Sequence, residues 1–302
     1  MKTRIQRVVV VTRPTELSLL LARHGTRSQA EFFLSCRGQD LEEVEERHRR
    51  FEAALARVMS TVPMSWRRAR IQRADLDRFL FEPEDTVVAL GQDGLVANVA
   101  KYLDGQPVLG VNPDPAAYDG VLVPLAPEAV ADLLVPASRG QASTESRTMV
   151  AASTGGGREL VALNEIFVGH RSHQSARYRL GDTPHRGPLE RQSSSGLVVA
   201  SGSGATGWAR SIHRRRKTDV VLPGPTERRL AFFVREAFPS VATGTSRTDG
   251  SLGPDQDLEV ISEMNDGGVV FGDGIEGDFL RFDWGTRLQV TIAPKTLELV
   301  RA

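Results

Sequence analysis

Residues 87–103 read VVALGQDGLVANVAKYL, and the way this stretch divides decides the fold. Val87, Val88, Ala89 and Leu90 form a continuous apolar run, the pattern of a strand buried on both faces. Gly91-Gln92-Asp93-Gly94 interrupts it, and a helix is predicted from about Gly94 to Leu103. Strand, glycine turn and helix together open a parallel β-α-β unit, whose ligands sit at the carboxyl ends of the strands. A turn needs glycine, but it does not need a carboxylate between glycines. Asp93 can be an ordinary N-cap. Free N–H groups and the helix dipole at this point also favour a phosphate, beside which a carboxylate can accept the proton of an attacking hydroxyl. Gly91 and Gly94 permit close backbone approach.

The flanking sequence extends the pattern. Arg7–Thr12 is a β-branched strand, a helical stretch from Glu16 to Leu34 breaks near Gly25, and a long helix begins at Leu41. On that helix Leu41, Val44, His48, Phe51, Leu55 and Val58 share one face, and Asp40 and Glu43 have capping-box spacing. Arg68–Asp75 is a weak strand and Pro107–Asn112 a further one. Near Val135 the grammar changes. A small, polar stretch reads as a linker or surface loop, and short strands separated by Gly, Asp or Pro follow it. The expected organisation is a Rossmann-like α/β domain with a mostly parallel sheet over residues 1–140. A β-rich, sandwich-like domain covers 141–302, with a cleft between the two.

Composition narrows the function. The 302 residues carry no net charge, so no global field draws the chain to nucleic acid or membrane. No stretch approaches the ~18 apolar residues of a membrane span. Cys36 is the only cysteine, which excludes an intrachain disulfide and fits a cytoplasmic setting. It is expected to pack rather than react. The first residues read as a strand rather than a signal peptide, and they lack an Arg- and Ser-rich presequence.

Two later segments carry polar groups where apolar ones dominate. ELVALNEIFVGH, 159–170, places Asn164-Glu165 inside a hydrophobic run, where both must find hydrogen bonds. They can pair with backbone at a strand end, or with the hydroxyls of a ribose or the edge of a base. SSGLVVASGSGATGWARSI, 194–212, is a strand, a Gly/Ser loop and a helix. Gly202, Ser203, Gly204, Thr206 and Gly207 can form an ordinary loop or wrap a polar ligand.

In this order, these segments resemble the NAD kinase family over about 290 residues. Gly91-Gln92-Asp93-Gly94-Leu95 is similar to its Gly-Gly-Asp-Gly-Thr motif and Gly110-Val111-Asn112 to its Gly-Val-Asn. Asn164-Glu165 matches its Asn-Glu pair, the 202–211 loop its glycine and threonine loop, and Asp273-Gly274 a late Asp-Gly step. The Asn-x-Asp-Pro loop from Asn112 and the tryptophan at 208 are closest to the mitochondrial-type branch. The resemblance implies an NAD kinase/diacylglycerol kinase-like fold whose final strands pack back near the first domain. It implies transfer of the γ-phosphoryl of ATP to the adenosine ribose 2′-hydroxyl of NAD, with Mg²⁺ on the triphosphate. It also implies a homo-oligomer, at least a dimer, and some members use polyphosphate as donor. By the same resemblance Asp93 would orient or deprotonate the hydroxyl, and Gly91 and Gly94 would admit phosphate. Asn164 and Glu165 would hold ribose hydroxyls. Thr206, Gly207, Trp208 and Ser211 would line the adenine pocket, Asn112 and Asp114 would border the NAD site, and Ser203, Gly204 and Asp273 would join the substrate-binding residues. No residue is assigned as a metal ligand.

Gln92 and Leu95 depart from the family motif. Gln92 would be strained if its position needs φ > 0, and Leu95 has no hydroxyl to donate. Two functions therefore stand: an active kinase with an altered donor pocket, and a catalytically degenerate NAD(P)-binding sensor or partner subunit. A kinase acting on a lipid hydroxyl is disfavoured by NEIFVG and GSGATGW. Outside these motifs, His213–Lys217 reads as a solvated helix end, His170 and His173 as loop histidines without a zinc set, and His185–Gly187 as a hairpin loop. Arg235-Glu236 is an ion pair or an oligomer contact.

Overall fold

The computed structural model of the chain describes residues 6–183 and 187–302. The chain divides into two compact units, Met1–Glu145 with Glu298–Ala302, and Ser146–Leu297. The expected α/β + β class is what is found.

The first unit runs β1 (Arg7–Thr12), α1 (Glu16–His24), α2 (Arg27–Ser35), α3 (Leu41–Thr61), β2 (Arg67–Gln72), β3 (Asp85–Leu90), α4 (Asp93–Ala100), β4 (Pro107–Val111) and α5 (Val130–Ser138). Its strands lie in the order β2-β1-β3-β4, every pair parallel. Val8–Val11 and Val87–Leu90 are buried throughout, because a sheet covered on both faces has no solvent side to alternate toward. Gly25, at φ 78, ends α1 and separates it from α2, as the sequence suggests. Leu41, Val44, Leu55 and Val58 of α3 are buried, while His48 and Phe51 are half-buried. The expected capping box does not form. Asp40 accepts from the Glu42 N–H at 2.9 Å, and Glu43 turns to Arg47 instead.

Helix α5 is absent from the sequence reading, which starts a linker near Val135. Pro136 inside the helix disguises it, yet Val130, Leu134 and Ala137 enter the same core as β3 and β4. The chain's last strand supplies this sheet with a further member, Glu298 and Leu299 pairing in parallel with Pro107 and Val108 of β4.

The second unit contains β5 (Thr144–Thr154), β6 (Glu159–Ala162), β7 (Glu165–His170), β8 (Ala176–Asp182), β9 (Glu190–Ser194), β10 (Leu197–Ala200) and α6 (Trp208–Arg214). After them come β11 (Leu230–Val234), β12 (Asp249–Leu252), β13 (Leu258–Ser262), β14 (Gly268–Gly272), β15 (Phe279–Arg281) and most of β16 (Arg287–Val300). An antiparallel sheet runs β12-β11-β10-β7-β14-β15. A second group runs β16-β13-β8-β9, with β5 on β16 and β6 on β5. Ile166, Val168 and Val199 from the first meet Tyr178, Val260 and Val290 from the second in one apolar core, as a sandwich requires.

Strands β9 and β12 carry too few apolar residues to be seen in sequence. β9 buries Gln192 and Ser194 instead: the Gln192 amide nitrogen donates to the Arg247 carbonyl at 2.9 Å, and the Ser194 and Tyr178 hydroxyls lie 2.7 Å apart in a hydrogen bond. Of the hairpin expected at 185–187, His185 and Arg186 lie outside the described residues. Among the described residues no helix is long and apolar enough to cross a membrane.

Candidate functional site

Asp93 is the first residue of α4, and its carboxylate does not cap that helix. It reaches the 121–123 segment, accepting from the N–H groups of Val121 at 3.2 Å, Leu122 at 2.8 Å and Val123 at 3.2 Å. A carboxylate has about four lone-pair directions, so one acceptor position is left for an incoming hydroxyl. The residue is half-buried, and Gly94 beside it is exposed, with nothing within 4 Å of where a Cβ would stand.

The Gly-Val-Asn segment explains why a loop lies against Asp93. A Cβ on Gly110 would stand 1.9 Å from the Leu122 carbonyl oxygen. The glycine is therefore what lets the 121–123 backbone cross β4 closely enough to offer its N–H groups. The Leu125 N–H donates to the Gly110 carbonyl at 3.1 Å, and the Asn112 N–H to the Leu125 carbonyl at 2.8 Å. The Asn112 side chain bonds the loop, donating to the Tyr118 carbonyl at 2.8 Å and accepting from the Asp114 N–H at 3.0 Å. Asp114 is buried and paired with Arg50 of α3 at 2.8 Å. In this structure both residues shape the loop.

Gln92 is not strained. It sits at φ −104, ψ 166, an extended conformation open to any residue, so the expected cost of a side chain here is absent. Its amide oxygen accepts from Arg13 at 2.6 Å. Leu95 is buried at 1% exposure and packs beside Gly91, where an added Cβ would meet Leu95 Cδ2 at 3.2 Å. The position that carries a hydroxyl in the family motif belongs here to the core.

In the second unit the run expected as one strand breaks at Leu163-Asn164, and the break is a built feature. Asp273, held at φ 52, accepts from the Leu163 N–H at 2.9 Å and the Asn164 N–H at 2.7 Å. Its own N–H donates to the Glu165 carbonyl at 3.1 Å. The Asn164 carbonyl accepts from the Ser201 N–H at 2.9 Å, and a Cβ on Gly204 would stand 2.2 Å from the same oxygen. Asn164-Glu165, Asp273 and the Ser201–Gly204 turn are thus one hydrogen-bonded construction.

Glu165 is half-buried, and its carboxyl makes no hydrogen bond among the described residues. Burial, and then the nearby Asp273 carboxylate, raise its pKa to about 7. An acid raised from 4.5 stays protonated in the folded chain while the unfolded chain ionises, so folding takes up a proton between about pH 4.5 and 7. Stability relative to Glu165→Gln should fall as pH rises through that window, by on the order of 3 kcal/mol, and level off above it. Urea unfolding of both proteins from pH 4.5 to 8 checks this. A constant difference between them would refute it.

The glycine loop is tied from inside. The Ser201 hydroxyl donates to the Leu163 carbonyl at 2.5 Å, and the buried Arg147 guanidinium donates to the Ser203 hydroxyl at 3.2 Å. The Thr206 hydroxyl donates to the Ser203 carbonyl at 2.9 Å. Trp208 stacks on Phe167 with centroids 5.8 Å apart, and Arg235 lies 5.2 Å from its ring. Thr206, Gly207 and Ser211 are exposed, whereas Ser203 and Gly204 are buried. The sequence reading does not include Arg147, because one Arg near the start of a strand carries no motif.

The remaining segments resolve simply. Arg216 donates to the Thr248 carbonyl at 3.0 Å and to the Val234 carbonyl, so one member of the basic run is structural. Arg235 and Glu236 approach to 3.6 Å. Cys36 is exposed at the end of α2, contrary to the expectation that it packs. Among the described residues, no group of three or more His, Cys, Asp or Glu side chains is placed to hold a metal ion.

No protein-family model matches the chain. Among curated proteins it is 24% identical to NAD kinase 2, mitochondrial, of Rattus norvegicus, over 81% of this chain and 76% of that protein. It is 26% identical to NAD kinase 2, mitochondrial, of Homo sapiens, over 70% of this chain and 59% of that one. In fold it is similar to the crystal structure of an NAD kinase from Archaeoglobus fulgidus in complex with ATP. The TM-score is 0.58 and the identity 18%, covering 98% of this chain and 93% of that one. Yeast NADH kinase complexed with NADH gives a TM-score of 0.59 at 14% identity, covering 100% of this chain and 84% of that one.

Proposed function

We propose that this chain, assigned to the NAD kinase family by its sequence and its fold, transfers the γ-phosphoryl group of ATP to the adenosine ribose 2′-hydroxyl of NAD, giving NADP. The observation that carries the reading is Glu165: a half-buried carboxyl without a hydrogen-bond partner among the described residues, on a turn fixed by Asp273. A group left in that state suits hydroxyls brought by a ligand. The names of the relatives supply NAD and ATP as the ligands to test. The first unit is proposed as the phosphoryl-transfer half and the second as the dinucleotide half.

In the proposed reaction the 2′-oxygen forms a bond to the γ-phosphorus as the bond from that phosphorus to the β-bridging oxygen breaks. The electron pair leaves with ADP, and the hydroxyl proton passes to the free acceptor position of Asp93. A loose transition state leaves little basicity to be supplied, so a carboxylate serves. The three N–H donors hold the Asp93 carboxylate in position. Mg²⁺ is proposed to enter with the substrate as MgATP, held chiefly by the phosphates.

Ribose hydroxyls donating to Glu165 would stabilise its ionised form, so NAD binding near pH 6.5 should release protons. Calorimetry in buffers of different ionisation enthalpy reads this, and buffer-independent heats would count against the role of Glu165. The reaction itself is tested by incubating the chain with NAD and MgATP and assaying NADP. Accumulation of NADP supports the proposal. NAD binding without NADP from any nucleoside triphosphate or polyphosphate would instead favour the sensor or partner reading. An assembly of at least two chains and a cytoplasmic setting remain part of the proposal.

A further inference from the structure

Under the glycine loop, the second unit buries a cation. Arg147, near the start of β5, is 2% exposed, the only buried arginine among the described residues. Taking a guanidinium out of water is costly, and an apolar side chain of similar size often fills such a place as well or better. What an apolar residue lacks is a directed donor. Arg147 Nη1 donates to the Ser203 hydroxyl at 3.2 Å. The next residue continues the clamp, its N–H donating from Thr148 to the Pro225 carbonyl at 3.0 Å. The two segments held in this way cross closely, since a Cβ on Gly202 would stand 1.8 Å from the Gly224 carbonyl oxygen. The turn is also bonded to the Asn164-Glu165 break. The Ser201 hydroxyl, which donates to the Leu163 carbonyl, accepts from the Ser203 N–H at 3.1 Å. Ser203 is therefore held twice, by Arg147 at its hydroxyl and by Ser201 at its backbone.

We propose that Arg147 is a positioning residue for the dinucleotide, acting through Ser203 to hold the 201–207 loop in the arrangement that binds it. This role rests on the proposed reading of the second unit as the dinucleotide half. Arg147 is given no contact with the ligand, because its side chain is buried while Thr206 and Gly207 stand on the exposed side of the loop. The effect is one of population. A loop that visits its binding arrangement part of the time binds with an affinity reduced by that fraction. Once the dinucleotide is saturating, the arrangement is restored and turnover proceeds at its former rate. Loss of the Arg147 bond should therefore appear in KM for NAD and hardly in kcat. A role confined to core stability would move the urea midpoint and leave both constants of the folded protein unchanged.

The test is calorimetric titration of the full chain with NAD, with steady-state NADP formation measured alongside. Arg147→Met should weaken NAD binding by about tenfold and leave kcat within about twofold. Ser203→Ala removes the acceptor by deleting one oxygen and should weaken binding by a similar factor, which keeps the role testable if Arg147→Met does not fold. Arg147→Lys keeps a donor at the position and should recover part of the loss. Arg147→Met combined with Ser203→Ala should bind no worse than Arg147→Met alone, the non-additivity of two groups that share one bond. Parental NAD affinity in folded Ser203→Ala, additive losses in the double variant, or a fall in kcat as large as the fall in kcat/KM would each overturn the proposal. If NAD binding weakens as expected but the parent never forms NADP, the proposed reaction fails and the role of Arg147 stands. If NADP forms and the variants keep parental KM and affinity, the role of Arg147 fails and the reaction stands.

Discussion

Asp93→Asn should lower kcat for NADP formation by on the order of 10³-fold while leaving KM for NAD within about threefold, the effect of losing a general base and little else. The hydrogen bonds of the parent residue make this a clean substitution. Asparagine keeps one oxygen for the Leu122 and Val123 N–H groups, which share the same carboxylate oxygen in the parent. Its amide nitrogen then faces the Val121 N–H, an exposed donor that can turn to water. The cost in stability should be about 1 kcal/mol. Asp93→Ala strips all three N–H groups of their acceptor and should cost about 3 kcal/mol or more, releasing the 121–123 segment. Both variants should be inactive, and only asparagine should unfold near the parent's urea midpoint. An asparagine variant with parental kcat would remove Asp93 from the chemistry and leave it as a loop anchor.

Gly110→Ala is the second large effect, and it reaches Asp93 through the backbone. The added methyl would stand 1.9 Å from the Leu122 carbonyl oxygen, where neither a rotamer nor a flexible neighbour can relieve the contact. The 121–123 segment must lift, and the N–H groups it gives to Asp93 lift with it. Overpacking of this kind costs about 1–3 kcal/mol, and more where the obstacle is main chain. Turnover should fall by on the order of a hundredfold in the protein that still folds, because small misplacements of a reacting group have effects of that size. A variant with parental stability and kcat would show that the loop does not position the carboxylate.

These two residues also show what was legible in the chain. Val87–Leu90 followed by Gly91 was enough for a buried parallel strand, because burial on both faces leaves an unbroken apolar run, and Asp93 marks where the site is proposed. Asn164-Glu165 stood out because polar groups in such a run need partners. What stayed hidden was contact made by backbone. Nothing in the letters of Val121, Leu122 and Val123 says that their N–H groups meet Asp93, since any residue but proline brings the same donor. Asp273 was visible as an Asp-Gly step, but its two bonds to the Asn164 turn span over a hundred residues. Strands β9 and β12 were missed because one buries polar side chains and the other is a short polar edge.

The central claim is phosphoryl transfer between two bound molecules, and following the phosphorus tests it most directly. The chain would be given NAD and ATP labelled in the γ-phosphoryl group, and the products separated. The account predicts label in NADP, attached at the adenosine ribose 2′-oxygen, with Asp93→Asn giving almost none. Label appearing only as inorganic phosphate, or remaining in ATP while NAD is bound, would contradict it.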